Sequence, residues 1–257
     1  GTIPCSVCMK TNGRIICSFD NPDPFEKLVG VTEDNYWRHW LACEGCSLLR
    51  SEFSRDPEVL HTIYEEKYRS VGSGLRQHTV EELFLTISNI PKQESETHFR
   101  VDWLLNSLGI LKKSRLISDK LSSRLLDVGG ASGVFAHAMM NHGFEADVLD
   151  PSQDGDFIRK YGVGYYQGYF GQTPLEKQYD IMSFLYVLEH LAEPGAMLDI
   201  AKRNLSPDGL VFFELPDATV VDFGNTEHDA YNACHLWLFG SAQITELLTK
   251  HGFSVLA

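Results

Sequence analysis

Apolar residues recur along this chain with two different periods, which distinguish a helical region from a region where strands and helices alternate. From Val80 to Ile90 and from Thr97 to Leu111 the spacing is helical, and Pro91 separates the two stretches. From residue 123 onward, short apolar runs alternate with amphipathic stretches. This alternation predicts a mostly parallel sheet with helices on both faces, the doubly wound, Rossmann-like α/β class.

The same pattern places the individual elements. In the alternating region it predicts strands at 124–128, 146–149, 164–167, 179–185, 209–215 and 253–256, and helices at 133–141, 154–161, 194–204 and 240–251. Nearer the amino terminus, Arg14 to Phe19 and Tyr36 to Ala42 are interpreted as strands of a small ribbon, with Trp37 and Trp40 as candidates for its core. We therefore expect three parts: residues 1–70 as an amino-terminal module, 71–122 as a helical cap and linker, and 123–257 as the α/β domain.

A glycine-rich turn follows the first strand of the α/β region. The sequence from Arg124 to Gly133 is RLLDVGGASG, in which a short β-capable run leads into small residues and then into a helical stretch. Small residues let the main chain approach a ligand closely, and the free N–H groups of a helix N-terminus attract a bound polar group. The turn therefore indicates a nucleotide-type binding cradle.

Two acids make this indication more specific. Asp127 lies at the end of the first strand, and Asp150 ends the next apolar run. An acid about 20 residues beyond such a loop lies where a ribose diol would bind, and its carboxylate can accept from both hydroxyls. The alternative is that both aspartates only cap helices.

The stretch Asp127-Val-Gly-Gly-Ala-Ser-Gly133 resembles the first motif of class I S-adenosylmethionine (SAM)-dependent methyltransferases, with alanine in place of the middle glycine. Asp150 resembles the ribose-binding acid of that family, and Tyr179–Ser183, Val187–His190 and Leu205–Phe213 resemble its fourth and fifth strands. The usual sheet of the family has a seventh strand that pairs with the sixth, and this sequence ends at Ala257, where that strand would follow.

The resemblance implies an enzyme that transfers a methyl group from SAM, and it assigns residues to the cofactor. Gly129, Ala131 and Gly133 would approach its amino-acid end, Asp127 would organise that end, and Asp150 would bind the ribose. By topology, Tyr169 and Phe170 would line the adenine, and Leu185 and Tyr186 would lie beside the methionine portion.

Two C-x-x-C pairs indicate a metal site. Cys5 and Cys8 form the first pair, and Cys43 and Cys46 form the second, with about 34 residues between the pairs. Four thiolates in a tetrahedron suit Zn²⁺, and a site with no open position would be structural. The alternative is a disulfide or redox role for the paired cysteines.

Net charge and hydropathy limit the classes of molecule that the protein is expected to bind. The formal net charge is −13 and no cluster of Lys and Arg occurs, which disfavours nucleic acid and favours a small-molecule acceptor. The sequence has no apolar run of the ~20 residues that a membrane span needs and no recognisable signal peptide, so we expect no membrane contact and a cytoplasmic location. The oligomeric state is not indicated.

Candidates for proton removal come from the segment after the fifth strand and from the fourth-strand motif. His235 is the first candidate, His190 the second, and Tyr231 begins the segment that contains His235. Each histidine has the alternative of a structural, hydrogen-bonded role. Zinc-bearing methyltransferases that act on nucleotide-linked deoxysugars resemble this chain in the amino-terminal cysteine pairs, and of their Tyr-His-Glu-His-type segment only His235 matches.

The sequence thus favours a SAM-dependent methyltransferase with a structural zinc site, acting on a sugar nucleotide, a glycan precursor or a secondary metabolite. A second hypothesis keeps the fold but makes the chain an inactive scaffold whose zinc ribbon docks a partner. A nicotinamide-dependent oxidoreductase is disfavoured because the loop lacks G-x-G-x-x-G.

Overall fold

The computed structural model describes residues 3–56, 59, 63–64, 78–118, 123–222 and 228–256. Its elements, in chain order, are β1 (Gly13–Phe19), α1 (Pro24–Leu28), β2 (Arg38–Cys43), β3 (Leu49–Phe53), α2 (Val80–Ser88), α3 (Glu96–Lys113), β4 (Arg124–Val128), α4 (Val134–Met140), β5 (Glu145–Asp150), α5 (Gly155–Lys160), β6 (Gly164–Gln167), β7 (Tyr179–Leu185), α6 (Pro194–Asn204), β8 (Leu205–Glu214), β9 (Trp237–Leu238) and α7 (Ser241–Lys250).

The chain folds into two compact units that both draw on separate stretches of sequence. The first unit combines Gly1–Gly72, Tyr186–Leu198 and Leu215–Val255, and the second combines Ser73–Leu185, Asp199–Glu214 and the last two residues. The predicted boundary between residues 70 and 71 lies outside the described residues, and the three-part division of the chain stays a prediction.

The second unit contains a five-stranded parallel sheet. Its strand order is β6-β5-β4-β7-β8, with β4 at the centre, so the chain moves outward first to one side and then to the other. In such sheets the reversal of strand order beside the first strand leaves a crevice at the carboxyl ends, where ligands bind. The predicted Rossmann-like α/β class is confirmed, and the strands at 124–128, 164–167 and 179–185 have the predicted bounds.

The core of the second unit forms where α3 and α4 cover the sheet. Apolar side chains at helical spacing on α3 meet those of α4 and the central strands; the buried members include Val101, Leu104, Leu108, Phe135, Met139, Leu125, Val148 and Ile181. Because these strands are buried on the sheet faces, their sequences are nearly continuous apolar runs, as parallel strands generally are.

The first unit is built on a four-stranded antiparallel sheet with the order β1-β2-β3-β9. Its fourth strand comes from the far end of the chain, where Trp237 pairs with Arg50 and Leu238 with Leu49. The sequence pattern predicted neither β3 nor β9. A two-residue strand is too short to show any periodicity, and its partner is remote in sequence.

Two expectations from the sequence are wrong. Trp40 is fully buried, but Trp37 is 37% exposed and stacks on His39, because residues three apart on an extended chain point to opposite faces. Residues 253–256 do not form a strand. Gly252 is left-handed (φ 80°) and the N–H of Phe253 donates to the carbonyl of Leu248, so this segment caps α7 instead.

Candidate functional site

The glycine turn after β4 is held in an unusual backbone conformation. Gly129 (φ 70°), Ala131 (φ 46°) and Gly133 (φ 75°) are all left-handed, and Gly133 is the N-cap of α4. Gly130 is constrained by space, since a Cβ atom there would lie 2.6 Å from Oδ2 of Asp127. The sequence Gly-Gly-Ala-Ser-Gly therefore makes a turn that brings main chain, rather than side chains, against the end of β4.

Asp127 is buried at the end of the central strand. Its Oδ1 accepts a 2.6 Å hydrogen bond from the hydroxyl of Ser183, its register neighbour on β7. Burial raises the pKa of Asp127 to about 7; the nearby Asp150 also raises it, whereas the hydrogen bond from Ser183 and the charge of Arg100 lower it. A buried carboxyl that titrates near neutral pH is typical of a functional site, and a cationic ligand would favour its ionised form.

Asp150 is fixed by the turn itself. Its Oδ2 accepts from the N–H of Ala131 at 3.0 Å, and its Oδ1 accepts from the N–H of Ser152 at 2.9 Å. These two hydrogen bonds orient the carboxylate at the turn, and a carboxylate oxygen has more than one lone pair with which to accept. The structure brings Asp127, Gly129, Ala131, Gly133 and Asp150 together around one turn.

The other predicted cofactor residues follow neighbouring strands. Tyr169 and Phe170 come after β6, are partly buried, and the ring of Phe170 lies 5.5 Å from that of Phe184. Leu185 ends β7, and Tyr186, the next residue, is left-handed (φ 56°) and 45% exposed. Their predicted roles at the cofactor stay predictions.

Sequence reasoning missed a charged pair in the same unit. Arg100 on α3 donates to both carboxylate oxygens of Glu214, at the carboxyl end of β8, and also to Glu96. These residues line a cavity of about 280 Å³ together with Phe99 and residues 93–95. The helical spacing of α3 gave no signal for this pair, because Glu214 is more than 100 residues away in sequence.

The four paired cysteines converge in the first unit. Their Sγ atoms all lie within 4.8 Å of one another, with Cys5 to Cys46 and Cys8 to Cys43 at 3.4 Å. In a tetrahedral zinc site with Zn–S bonds of ~2.3 Å, sulfur atoms lie roughly 3.8 Å apart. None of the six cysteines, all of which lie within the described residues, forms a disulfide. The cluster therefore fits a zinc ion.

Both cysteine turns have the same backbone geometry. In each, the residue after the second cysteine is left-handed, Met9 in one and Ser47 in the other, and its N–H donates to the carbonyl of the first cysteine. Helix α7 contacts both turns, because Gln243 donates to the carbonyl of Cys46 and Lys250 to that of Val7. Burial would raise the pKa of Cys43, but hydrogen bonds from the backbone of Gly45 and Cys46 and from neighbouring thiols lower it to about 7.

The two candidate histidines also meet in the first unit, with ring centroids 4.7 Å apart. The Nδ1 of His190 lies 2.9 Å from the carbonyl oxygen of Cys234, and the Nδ1 of His235 lies 2.9 Å from that of Ala230. The hydroxyl of Tyr64 also lies 3.1 Å from Nδ1 of His190, and Nδ2 of Asn232 lies 3.3 Å from Nε2 of His235. A carbonyl oxygen only accepts, so each Nδ1 donates to its carbonyl, and in the neutral form of such a ring the lone pair is on Nε2. Glu189 is fully buried beside them.

Tyr231 has a different environment. Its ring is buried with Trp40, Leu49 and Leu238 in the core of the first unit, and burial raises its pKa to about 12. This packing is the contribution that the structure shows for Tyr231, and its catalytic role stays a prediction.

The parallel sheet, with a glycine turn and two acids at its carboxyl edge, is the Rossmann-like fold of class I methyltransferases. A comparison with protein families matches residues 104–257 to the family described as "Methyltransferase domain". Because this match covers more than half of the sequence, the chain belongs to that family, which confirms the predicted family.

Individual relatives are more distant. The chain is 25% identical over 135 residues to a ubiquinone biosynthesis O-methyltransferase of Actinobacillus pleuropneumoniae, covering 48% of this chain and 58% of the relative. It is 30% identical over 100 residues to the protein of the same name from Salmonella paratyphi A, covering 35% and 41%. The matched stretches thus span 58% and 41% of the lengths of these two relatives.

Among solved structures, the chain is similar to magnesium protoporphyrin IX methyltransferase from Synechocystis with bound SAH, with a TM-score of 0.49 and 15% identity over 79% of this chain and 91% of the other. It is also similar to a possible histamine N-methyltransferase of Thermotoga maritima, with a TM-score of 0.44 and 19% identity over 58% and 72%. Within the described residues, no helix has the length and apolar character needed to cross a bilayer.

Proposed function

We propose that this protein transfers a methyl group from SAM to a small-molecule acceptor, such as a sugar nucleotide, a glycan precursor or a secondary metabolite. The observation that carries the proposal is the turn between β4 and α4, where left-handed glycines, Asp127 and Asp150 surround one point at the carboxyl edge of the sheet. SAM, when bound, supplies an electrophilic methyl group on a positively charged sulfur.

The chain's own residues would bind and orient this cofactor. The main chain of Gly129, Ala131 and Gly133 permits close approach, and the carboxylate of Asp150, which the turn orients, is an acceptor that suits a ribose diol. Asp127 would add a negative charge near the cationic portion of the ligand. Orientation is the main contribution in methyl transfer, because alignment of the reacting atoms alone can lower a barrier by several kcal/mol.

The nature of the acceptor is supported by charge and by the relatives. A net charge of −13 disfavours a polyanion such as RNA or DNA. The curated relatives carry the name ubiquinone biosynthesis O-methyltransferase, which points to a small organic acceptor for this chain as well. Removal of a proton from an acceptor hydroxyl is the role predicted for His235 and His190, and the lone pair on each Nε2 is what such a role requires.

Isothermal titration tests the proposal. Both SAM and its demethylated product SAH should bind the full chain with a stoichiometry of about one. Asp150→Asn should weaken binding by roughly tenfold or more, since it loses a charge-assisted hydrogen bond to the ribose. The fully exposed Asp156, changed to Asn, serves as the matched control. Failure of both ligands to bind would overturn the proposal, and binding without methyl transfer to any acceptor would leave only a SAM-binding module.

We further propose that Cys5, Cys8, Cys43 and Cys46 hold one structural Zn²⁺. Metal analysis should find zinc bound to these thiolates, and Cys43→Ser should lose it together with stability of the first unit. Cys17→Ser is the control, because Cys17 lies outside the cluster. Zinc retention in the Cys43 variant would contradict the assignment.

A further inference from the structure

A second group of potential metal ligands lies in the first unit, separate from the cysteine cluster. Glu189, His190 and His235 each offer one ligand atom, and these three atoms all lie within 4.8 Å of one another. The Nε2 of His190 is 4.0 Å from Oε1 of Glu189. Two imidazoles and one carboxylate form a donor set that binds divalent transition metals with positions left open for other ligands.

The second ring nitrogens support this interpretation. A histidine that binds a metal usually donates its other N–H to a carbonyl or carboxylate, which fixes the ring and its tautomer. Here the Nδ1 atoms of His190 and His235 both donate to backbone carbonyls, those of Cys234 and Ala230. Both rings therefore have the tautomer in which Nε2 can coordinate an ion.

The backbone also holds the two ligand-bearing segments together. His190 ends a 3-10 turn (Leu188–His190), and the N–H of Leu236, the residue after His235, donates to the carbonyl of Glu189 at 2.8 Å. The indole N–H of Trp237 donates to the carbonyl of Leu191 at 2.7 Å. These two hydrogen bonds fix the spacing of the segments, so only side-chain rotations are needed to close the group around an ion.

The required movement is small. Ligand atoms around a tetrahedral ion with bonds of ~2.1 Å lie roughly 3.4 Å apart. The three atoms lie within 4.8 Å of one another, so they would need to approach by at most about 1.4 Å. The Nε2 of His235 lies 3.3 Å from Nδ2 of Asn232, and an ion would take the place of that contact. Glu189 has no exposed surface, and a divalent ion would supply positive charge next to this buried carboxylate.

We propose that Glu189, His190 and His235 bind a divalent transition-metal ion of the class that imidazole prefers, with Zn²⁺ as the probe. The proposal concerns binding and does not depend on methyl transfer. An ion and a proton compete for the same Nε2 lone pairs, so metal binding by these residues is an alternative to the base role predicted for the two histidines.

The experiment measures bound metal in the full chain after equilibrium dialysis against Zn²⁺. We expect about two ions per chain, of which a thiol-blocking mercurial releases only the one at the cysteines. The double variant H190Q/H235Q should lose one ion and keep the ion that the mercurial releases. His142→Gln is the matched control, because His142 is exposed and lies outside the group.

Folding of the variants is checked with Co²⁺, whose sulfur-to-metal absorption band reports the cysteine cluster of the same unit. If the double variant loses this band, the single variant E189Q replaces it, since it keeps both rings. The proposal is overturned if the wild-type chain binds no ion beyond that at the cysteines. It is equally overturned if the second ion persists in the folded histidine or glutamate variant, since that ion would be bound elsewhere.

Discussion

The substitution Asp127→Asn should distinguish the contribution of this carboxyl to SAM binding from its effect on the free energy of unfolding. In the folded protein the pKa of Asp127 is raised, mainly by burial, from its ordinary 3.8 to about 7. The folded state therefore holds the proton more tightly than the unfolded state does. The stabilisation that protonation of Asp127 gives the folded state is fully present below about pH 4 and is lost as the pH rises to about 7.

The size of this loss follows from the shift. Each pKa unit corresponds to about 1.4 kcal/mol, so a shift of about 3 units sets an upper limit of about 4 kcal/mol at pH 8. Asparagine has nearly the same shape and does not titrate, and its amide oxygen can still accept from the hydroxyl of Ser183. The variant should therefore be more stable than the wild type at pH 8, by up to about 4 kcal/mol, and similar to it at pH 4.

Urea unfolding at several pH values between 4 and 8 measures the effect, and titration with SAM measures its functional cost. The difference between variant and wild type isolates this one carboxyl, because every other titrating group is common to both. SAM affinity should fall in the variant while stability rises, which is the usual trade-off at a binding site. Asp156→Asn should change neither quantity. A variant whose free energy of unfolding follows the wild type at every pH would refute the argument.

Two further substitutions test the backbone and a buried ion pair. Ala131→Gly should raise the free energy of unfolding by about 1 kcal/mol, because alanine is strained in the left-handed conformation it has there. The control Ala138→Gly, within helix α4, should instead lower it by about 1 kcal/mol. Equal effects of the two substitutions in thermal melting would contradict the inference that Ala131 is strained. Glu26→Gln should lower the free energy of unfolding, measured in urea, by about 3 kcal/mol, because the fully buried carboxylate of Glu26 accepts from Arg55 at 2.6 Å. The control Glu33→Gln, at an exposed site, should change the free energy of unfolding little.

The sequence predicted those parts of the fold that depend on local signals. The run RLLDVGGASG contains its own strand, turn and helix start, and all three occur as predicted at 124–140. The positions of the four cysteines also carried enough information, since each C-x-x-C pair forms its turn locally and the two turns converge.

Features that depend on long-range pairing were missed. The hydrogen bond from Ser183 to Asp127 depends on the register of two strands about 55 residues apart, and the contact of His190 with His235 depends on two loops about 45 residues apart. The sequence contains these residues, but no periodic pattern in it indicates that the members of each pair are in contact. Trp37 was misassigned for a simpler reason, since it precedes β2 and the alternation of strand faces turns it outward.

The strand order of the small antiparallel sheet has a consequence for folding during synthesis. Strands β1, β2 and β3 leave the ribosome early, but β9, which borders β3, follows about 180 residues later. At roughly 5–20 residues per second, the edge of β3 stays without this neighbour for about 10–40 s. If the amino-terminal ribbon folds before β9 is synthesised, it does so with an open edge, and the zinc ion proposed at its cysteines would stabilise it during that interval.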